Sequence, residues 1–307
     1  MLTKLKSYSK LMLNRIPPIE RYLKEVYLQR KFRVELDLLK GRHQNQNKHP
    51  SIIHFSLNKA ATQYTGRILK QCAVENGMVP VSIHGYAFHT NFPYLDHLTA
   101  EEIEKYQHIF KPNGYLYSVF GGMIEGISEL EKYKIVLMVR DFRDLLVSEY
   151  YSIAYSHVAP YKQGNKYELF VEQRTKARES VIDEYAVTES NRIYNTLQRY
   201  KTLLIDKYPN VYITKYEDMI NDFHGWLNNL LYNCELNIRP DFFTALLERN
   251  ERIRPKDEDV QRHIRKGKSG EYKEKLNQET IEYLNAKFSS MLLTFGYKLD
   301  SIHWKSI

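Results

Sequence analysis

The stretch Ser51-Ile52-Ile53-His54-Phe55-Ser56-Leu57, continued by Asn58-Lys59-Ala60-Ala61-Thr62-Gln63-Tyr64-Thr65, organises the chain. It begins as an apolar, β-leaning run and turns through small and polar residues around one lysine. It then enters a helical pattern from Thr62 to Asn76, with Tyr64, Ile68, Leu69, Cys72 and Ala73 at the apolar positions. A strand that turns tightly into a helix N-terminus makes an anion site. The first amides of the helix have no internal partners, and the dipole favours negative charge there. Lys59 adds a full positive charge and Thr62 a hydroxyl donor. The Walker A pattern G-x-x-x-x-G-K-[ST] is absent. Taken alone, such a unit also serves as a plain connection between two elements.

The rest of the chain sets the frame. Its 307 residues, 43% hydrophobic and 27% charged, fit one large α/β domain or a domain with an appendage. The net charge of +8 suits an anionic ligand, nucleic acid or an acidic membrane surface, and does not choose among them. The two cysteines, Cys72 and Cys234, sit in apolar, helix-like contexts, so buried free thiols and a reducing cytoplasm are expected. No apolar run of about eighteen residues predicts a transmembrane helix, and the N-terminus lacks the apolar core of a secretory signal.

Residues 1–45 read as a basic helical extension interrupted at Pro17-Pro18. From Ile19 to Leu39 the apolar positions Tyr22, Val26, Tyr27, Phe32, Leu36 and Leu39 recur at roughly helical spacing. Two readings stand side by side: a membrane-surface or partner-binding helix, and a solvated helix packed on the domain or on a second subunit. The extension is thus the candidate for peripheral membrane contact or self-association. Arg42 to Pro50 reads as a polar linker.

The remainder, about 51–300, alternates. Val79–His84 is a short strand and Gly85–His97 an aromatic, histidine-rich loop. Thr99-Ala100-Glu101-Glu102 opens a capped helix. Gly114–Phe120 is strand-like. Tyr133–Val139 is the strongest buried-strand signal, expected at the centre of a parallel sheet. Asp141–His157 is a helix, 167–208 holds two more, and Val211–Thr214 is another strand. Helices follow from Tyr216 and over 222–249, interrupted near Pro240, and Glu279–Phe295 is a closing helix stopped by Gly296. Strands separated by helices predict βαβ units and a three-layer α/β/α fold with a central parallel sheet.

Two further units carry chemistry. In Val139-Arg140-Asp141-Phe142-Arg143-Asp144-Leu145-Leu146-Val147-Ser148-Glu149-Tyr150-Tyr151, Arg140 ends the buried strand, where open α/β sheets bind ligands. Ser148 follows about two helical turns later. The guanidinium fork and the hydroxyl suit a phosphate, while a structural ion pair of Arg140 with Asp144 stays open. His263-Ile264-Arg265-Lys266-Gly267-Lys268-Ser269-Gly270-Glu271-Tyr272-Lys273 is a basic loop whose glycines let backbone approach an anion; alone, it reads as a solvated loop.

Together, and in this order, the three units resemble the sulfotransferase family that uses 3′-phosphoadenosine 5′-phosphosulfate (PAPS). Lys59 to Tyr64 is similar to its 5′-phosphosulfate loop, Lys-Ser-Gly-Thr-Thr-Trp. Arg140…Ser148 is similar to its 3′-phosphate motif at the same spacing. Arg265-Lys266-Gly267-x-x-Gly270-Glu271-Tyr272-Lys273 is similar to its C-terminal Arg-Lys-Gly-x-x-Gly-Asp-Trp-Lys segment. The resemblance implies a P-loop-like phosphosulfate loop formed by Lys59, the amides around Ala61 and Thr62, and Gln63. It implies a 3′-phosphate site formed by Arg140, Ser148, Arg265, Lys266 and Gly267. It places Tyr64 against adenine, with Tyr194 a further adenine-side contact, and it implies no metal. Lys59 would also offset charge on the bridging oxygen as the S–O bond breaks. Ala60-Ala61 stands where the family has Ser-Gly, and Gln63 where it has threonine, so the loop lacks one hydroxyl and one flexible residue.

Direct transfer needs a base for the acceptor hydroxyl. The His-Leu-Pro segment of the cytosolic branch is matched here by Leu116-Tyr117-Ser118-Val119-Phe120, without histidine. The candidates are His84 first and His89 second, with a carboxylate such as Asp96 as the remaining option. The reaction implied is sulfuryl transfer from PAPS to a hydroxyl of a glycan, lipid-linked sugar or small alcohol, with no nucleic-acid partner. Residues 85–97 and 150–167 would shape the acceptor site. Two other classes remain: a P-loop phosphotransferase using a nucleoside triphosphate, whose Walker lysine–Ser/Thr pair is missing, and a non-catalytic membrane-surface scaffold.

Overall fold

The structure is a computed structural model that describes residues 17–160, 165–253 and 268–298. The chain forms two compact units, 1–44 and 45–307. In the first, helices α1 (Pro17–Lys31) and α2 (Arg33–Leu39) replace the single run expected over Ile19–Leu39. The break falls at Phe32, whose φ of −113° and ψ of 33° leave the helical region.

The second unit is built on a five-stranded sheet of β1 (Ile52–Ser56), β2 (Val79–Val81), β3 (Tyr115–Phe120), β4 (Lys134–Val139) and β5 (Val211–Lys215). The order is β2-β3-β1-β4-β5 and every pairing is parallel. The middle strand is therefore β1 rather than β4, and all five of its residues are buried, as a strand covered on both faces requires. Its side chains alternate between layers. His54 faces Gly66 of helix α3 (Thr62–Glu75), while the Phe55 ring lies 5.9 Å from Tyr200, the last residue of a later helix (Ile182–Tyr200).

Helix α4 (Ile83–His89) is the main departure from the sequence reading, which expected the end of a strand and then a loop. Histidine and aromatic residues are weak helix formers. Ile83 and Ala87, one helical repeat apart, nevertheless bury to 1% and 0% exposure, and that burial decides the conformation. β2 accordingly ends at Val81. Helix α5 (Ala100–Ile103) opens on the capping box expected at Thr99 and Glu102.

After β4 come α6 (Phe142–Tyr151), α7 (Asn165–Glu179) and α8 (Ile182–Tyr200). After β5 come α9 (Tyr216–Asn221), α10 (Phe223–Cys234), α11 (Pro240–Ile253), α12 (Tyr272–Lys275) and α13 (Gln278–Thr294). Helices α6, α8 and α13 pack together on one face. Helices α3 and α10 share the other, joined by the Tyr64–Phe223 rings at 6.1 Å. The expected linker is pinned to this unit from residue 45 on. Asn45 Nδ2 donates to Gly114 O and Asn47 Nδ2 to Asn76 O, both at 2.7 Å. Cys72 and Cys234 are free and buried, and burial pushes both thiols up to about 12.

His54 is fully buried, with Nδ1 3.1 Å from Ser118 Oγ, and burial drops its imidazole from 6.5 to about 3. The unfolded ring thus takes up a proton first as pH falls. Stability from this group is complete above about 6.5 and is lost below it at about 1.4 kcal/mol per pH unit. Lowering the pH from about 7.5 to about 5 should remove about 2 kcal/mol through His54. Urea unfolding of wild type and His54→Asn at both pH values checks this: the variant should show a pH dependence shallower by that amount.

Candidate active site

The loops leaving β1 and β4 run to opposite faces of the sheet, into α3 and α6. The carboxyl ends of these neighbouring strands therefore flank a crevice at the topological switch point, where open α/β sheets hold ligands. Lys59 follows β1 and Arg140 follows β4.

The loop after β1 is tightly closed. Ala60 N donates to Leu57 O at 3.1 Å, and Thr62 Oγ1 donates to Leu57 O at 3.0 Å and lies 2.9 Å from Ser56 Oγ. The Thr62 hydroxyl, expected to serve a ligand, is thus occupied in closing the loop. Lys59 and Ala61 adopt left-handed backbone, with φ of 72° and 57°. The helical bonds of α3 begin at Tyr64 and Thr65, both donating to Ala61 O, so the Thr62 and Gln63 amides precede them. Gln63 is exposed. Tyr64 is held from behind: its hydroxyl donates to Asn250 Oδ1 at 2.7 Å.

Arg140 is only 5% exposed. It donates to Lys59 O at 3.3 Å and to Lys268 O at 3.1 Å, and its Cζ lies 4.4 Å from the Tyr216 ring centroid. The expected alternative, an ion pair with Asp144, is present but loose at 3.9 Å, and Glu271 stands at 3.8 Å. Arg140 Nε is buried without a hydrogen-bond partner among the described residues. Asp144 has another task. Its carboxylate accepts from Gly270 N at 2.6 Å and Tyr272 N at 2.9 Å, which docks the described part of the third motif onto α6. Burial pushes this carboxyl up, against the pull of Arg140. Arg143 is structural: it forks onto Asp141, the N-cap of α6, and donates to Asn285 Oδ1 at 2.6 Å.

Ser148 is half-buried on α6. Next to it, Glu149 pairs with Arg192 at 2.5 Å; burial pushes its carboxyl up, and it lies within electrostatic reach of Lys59. Tyr194 packs on Phe288 of α13 at 6.4 Å, beneath Lys287. Arg265, Lys266 and Gly267 lie outside the described residues.

After β2, His84 lies in the first turn of α4 and His89 at its end, where it meets the edge of Phe88 at 5.3 Å. The His84 ring stacks on Tyr94 at 4.6 Å, and its Nδ1 is 3.7 Å from Asp96 Oδ1. Lys166 of α7 braces this segment, donating to Ala87 O at 2.7 Å, Phe92 O at 2.5 Å and Thr90 O at 3.3 Å. Neither the clamp formed by Asp144 nor the brace formed by Lys166 is signalled by local sequence, because their partners are 74 to 128 residues away.

The fold and site define a parallel α/β protein with a buried arginine and a lysine loop meeting at the switch point. The family comparison makes this specific: residues 127–296, more than half of the chain, match the model of the sulfotransferase domain. The chain belongs to that family. The match spans the Arg140 unit and the basic loop and begins after the Lys59 loop. No curated protein sequence matches the chain. Among solved structures, mouse sulfotransferase SULT7A1 complexed with PAP is 15% identical, covering 83% of this chain and 89% of its own, with a TM-score of 0.46. Retinol dehydratase in a complex with retinol and PAP is 14% identical, covering 82% and 84%, at 0.47. Sulfotransferase STF9 from Mycobacterium avium is 9% identical, covering 89% and 82%, at 0.46. These likenesses are loose.

Ala61 holds a left-handed conformation that costs a non-glycine residue about 1–2 kcal/mol, and the extra backbone freedom of glycine costs about 0.5–1 kcal/mol. Relief of strain should win, so Ala61→Gly should stabilise the protein by about 0.5–1 kcal/mol in urea unfolding.

Proposed function

We propose that this chain moves the sulfuryl group of PAPS to a hydroxyl of a polar acceptor by direct in-line transfer. The observation that carries this reading is Arg140, buried at the switch point with its guanidinium reaching the Lys59 carbonyl and its Nε without a partner among the described residues. In a chain of the sulfotransferase family, this closeness of Arg140 to the Lys59 loop supports reading the two as phosphate-binding motifs that share one crevice.

Lys59 and the amides of Thr62 and Gln63 hold the phosphosulfate end, and Arg140 with Ser148 holds the 3′-phosphate. Arg265, Lys266 and Gly267 are assigned to that same phosphate from the motif. Tyr64 offers a ring face to adenine, with Tyr194 as the outer contact. As the sulfuryl group leaves, the Lys59 ammonium offsets the charge that develops on the bridging oxygen. His84 takes the proton of the attacking hydroxyl, with His89 as the second candidate.

The acceptor is a hydroxyl-rich polar molecule, such as the sugar of a glycan or glycolipid, or a small alcohol. A cleft of about 500 Å³ beside Asp96, lined by Thr99, Glu101, Glu125 and Arg199 together with Leu98 and Ala100, supports this with its hydrogen-bonding groups. We place the protein in the cytoplasm on the evidence of its two free, buried thiols. No helix among the described residues is long and apolar enough to cross a membrane. The exposed Tyr22, Leu23 and Tyr27 of α1 support a peripheral contact with a membrane or a second copy.

A panel of sugars, glycolipids and alcohols incubated with sulfur-labelled PAPS tests the activity. Lys59→Ala should lower kcat about 10²–10³-fold, and Arg140→Ala should raise the KM for PAPS about 10–100-fold. Thermal unfolding confirms that the variants fold. Unchanged kinetics in both would contradict the assigned roles, and absence of transfer to every hydroxyl acceptor would contradict the activity.

A further inference from the structure

Three buried polar atoms gather beside the end of β3 without hydrogen-bond partners among the described residues: His84 Nδ1, Asp96 Oδ1 and Tyr200 Oη. Buried polar groups are nearly always paired, so a cluster of exceptions asks for a cause. Their surroundings are rigid. The His84 ring is stacked on Tyr94 at an interplanar angle of 29°, and the Lys166 ammonium lies 4.2 Å from the Tyr94 centroid. The Tyr200 ring is fixed against Phe55 at 5.9 Å. Asp96 is 4% exposed in its side chain and lies so close to Gly122 that a Cβ there would stand 3.1 Å from Asp96 Oδ2.

The cluster adjoins the donor loop. A Cβ on Gly121, the neighbour of Gly122, would stand 3.2 Å from Oδ1 of Asn58, the residue before Lys59. The His84 side chain is 31% exposed although its Nδ1 is buried, which leaves Nε2 as the ring nitrogen free to face an acceptor. At 3.7 Å, His84 and Asp96 form an ion pair that is too long for a hydrogen bond. Catalytic hydrogen bonds are often long in unliganded sites and tighten when substrate binds. Burial opposes charge on Asp96, yet the facing His84, with His97, outweighs it and holds the carboxyl below its usual range.

We infer that Asp96 is a positioning residue rather than a base: its carboxylate accepts from His84 Nδ1–H and leaves Nε2 bare toward the acceptor. When Nε2 takes the hydroxyl proton, the same carboxylate stabilises the imidazolium, as a buried carboxylate behind a catalytic histidine does elsewhere. Tyr200 lies within the electrostatic reach of Asp96. The inference rests on His84 being the base of the proposed reaction.

Nitrogen-15 NMR of the histidine rings at alkaline pH tests the pair independently of activity. The His84 signals are identified by their loss in His84→Ala. The wild type should show His84 protonated on Nδ1, and Asp96→Asn should shift it toward the Nε2-protonated form. The kcat of Asp96→Asn should fall about 10–100-fold, with acceptor KM nearly constant. Asp96→Asn should add less than about threefold to the loss in His84→Ala, because the two act as a unit. Thermal unfolding establishes that each variant folds. An unchanged tautomer in Asp96→Asn would overturn the pair, and a shifted tautomer with full kcat would overturn its catalytic use. Both are separable from failure of the wild type to bind adenosine 3′,5′-bisphosphate, which would overturn the sulfotransferase reading.

Discussion

The structure turns on a buried cation, Arg140, that the described residues only partly satisfy. Removing a guanidinium from water costs several kcal/mol. Around Arg140 the return comes from two carbonyls at 3.1 and 3.3 Å, the Tyr216 ring and two carboxylates no nearer than 3.8 Å. A close bidentate pair with Asp144 would have closed the account. Asp144 instead accepts from the amides of Gly270 and Tyr272, which bring residues 268–272 beside Arg140. One aspartate thus forms no close pair with the arginine and also anchors the chain segment beside it.

Around that centre the site divides by chemistry. The side we propose for the donor is backbone and cation: the closed loop after β1, the first amides of α3, Lys59 and Arg140. The side we propose for the acceptor is imidazole and carboxylate on α4 and the turn that follows it, braced by Lys166. Gly121 and Gly122 join the two sides at the end of β3. Asn58 approaches one and Asp96 the other so closely that a side chain at either position would crowd them.

Much of this was legible in the sequence, and for definable reasons. Parallel strands buried on both faces need continuous apolar runs, so β1 and β4 announce themselves, as does the strand–loop–helix unit at Lys59. Helix α4 did not, because its residue types favour no helix and only two buried positions, Ile83 and Ala87, betray the spacing. The Thr62 hydroxyl looked like a ligand donor, but a tight loop needs its own closure and Thr62 supplies it. Asp144 looked like a partner of Arg140 because the two are one helical turn apart; its true partners are more than a hundred residues distant. The pairing of Asp96 with His84 was equally hidden, since Asp96 by itself read as a rival base.

The central claim is a crevice that grips an adenine nucleotide at two ends, with the 3′-phosphate held by Arg140. Calorimetry comparing adenosine 3′,5′-bisphosphate with adenosine 5′-phosphate tests it most directly. Charge-assisted contacts to the 3′-phosphate are worth about 1.5–3 kcal/mol each, so two of them should make the bisphosphate bind about 10²-fold more tightly or better. Equal affinity for the two nucleotides, or binding of neither, would contradict the account.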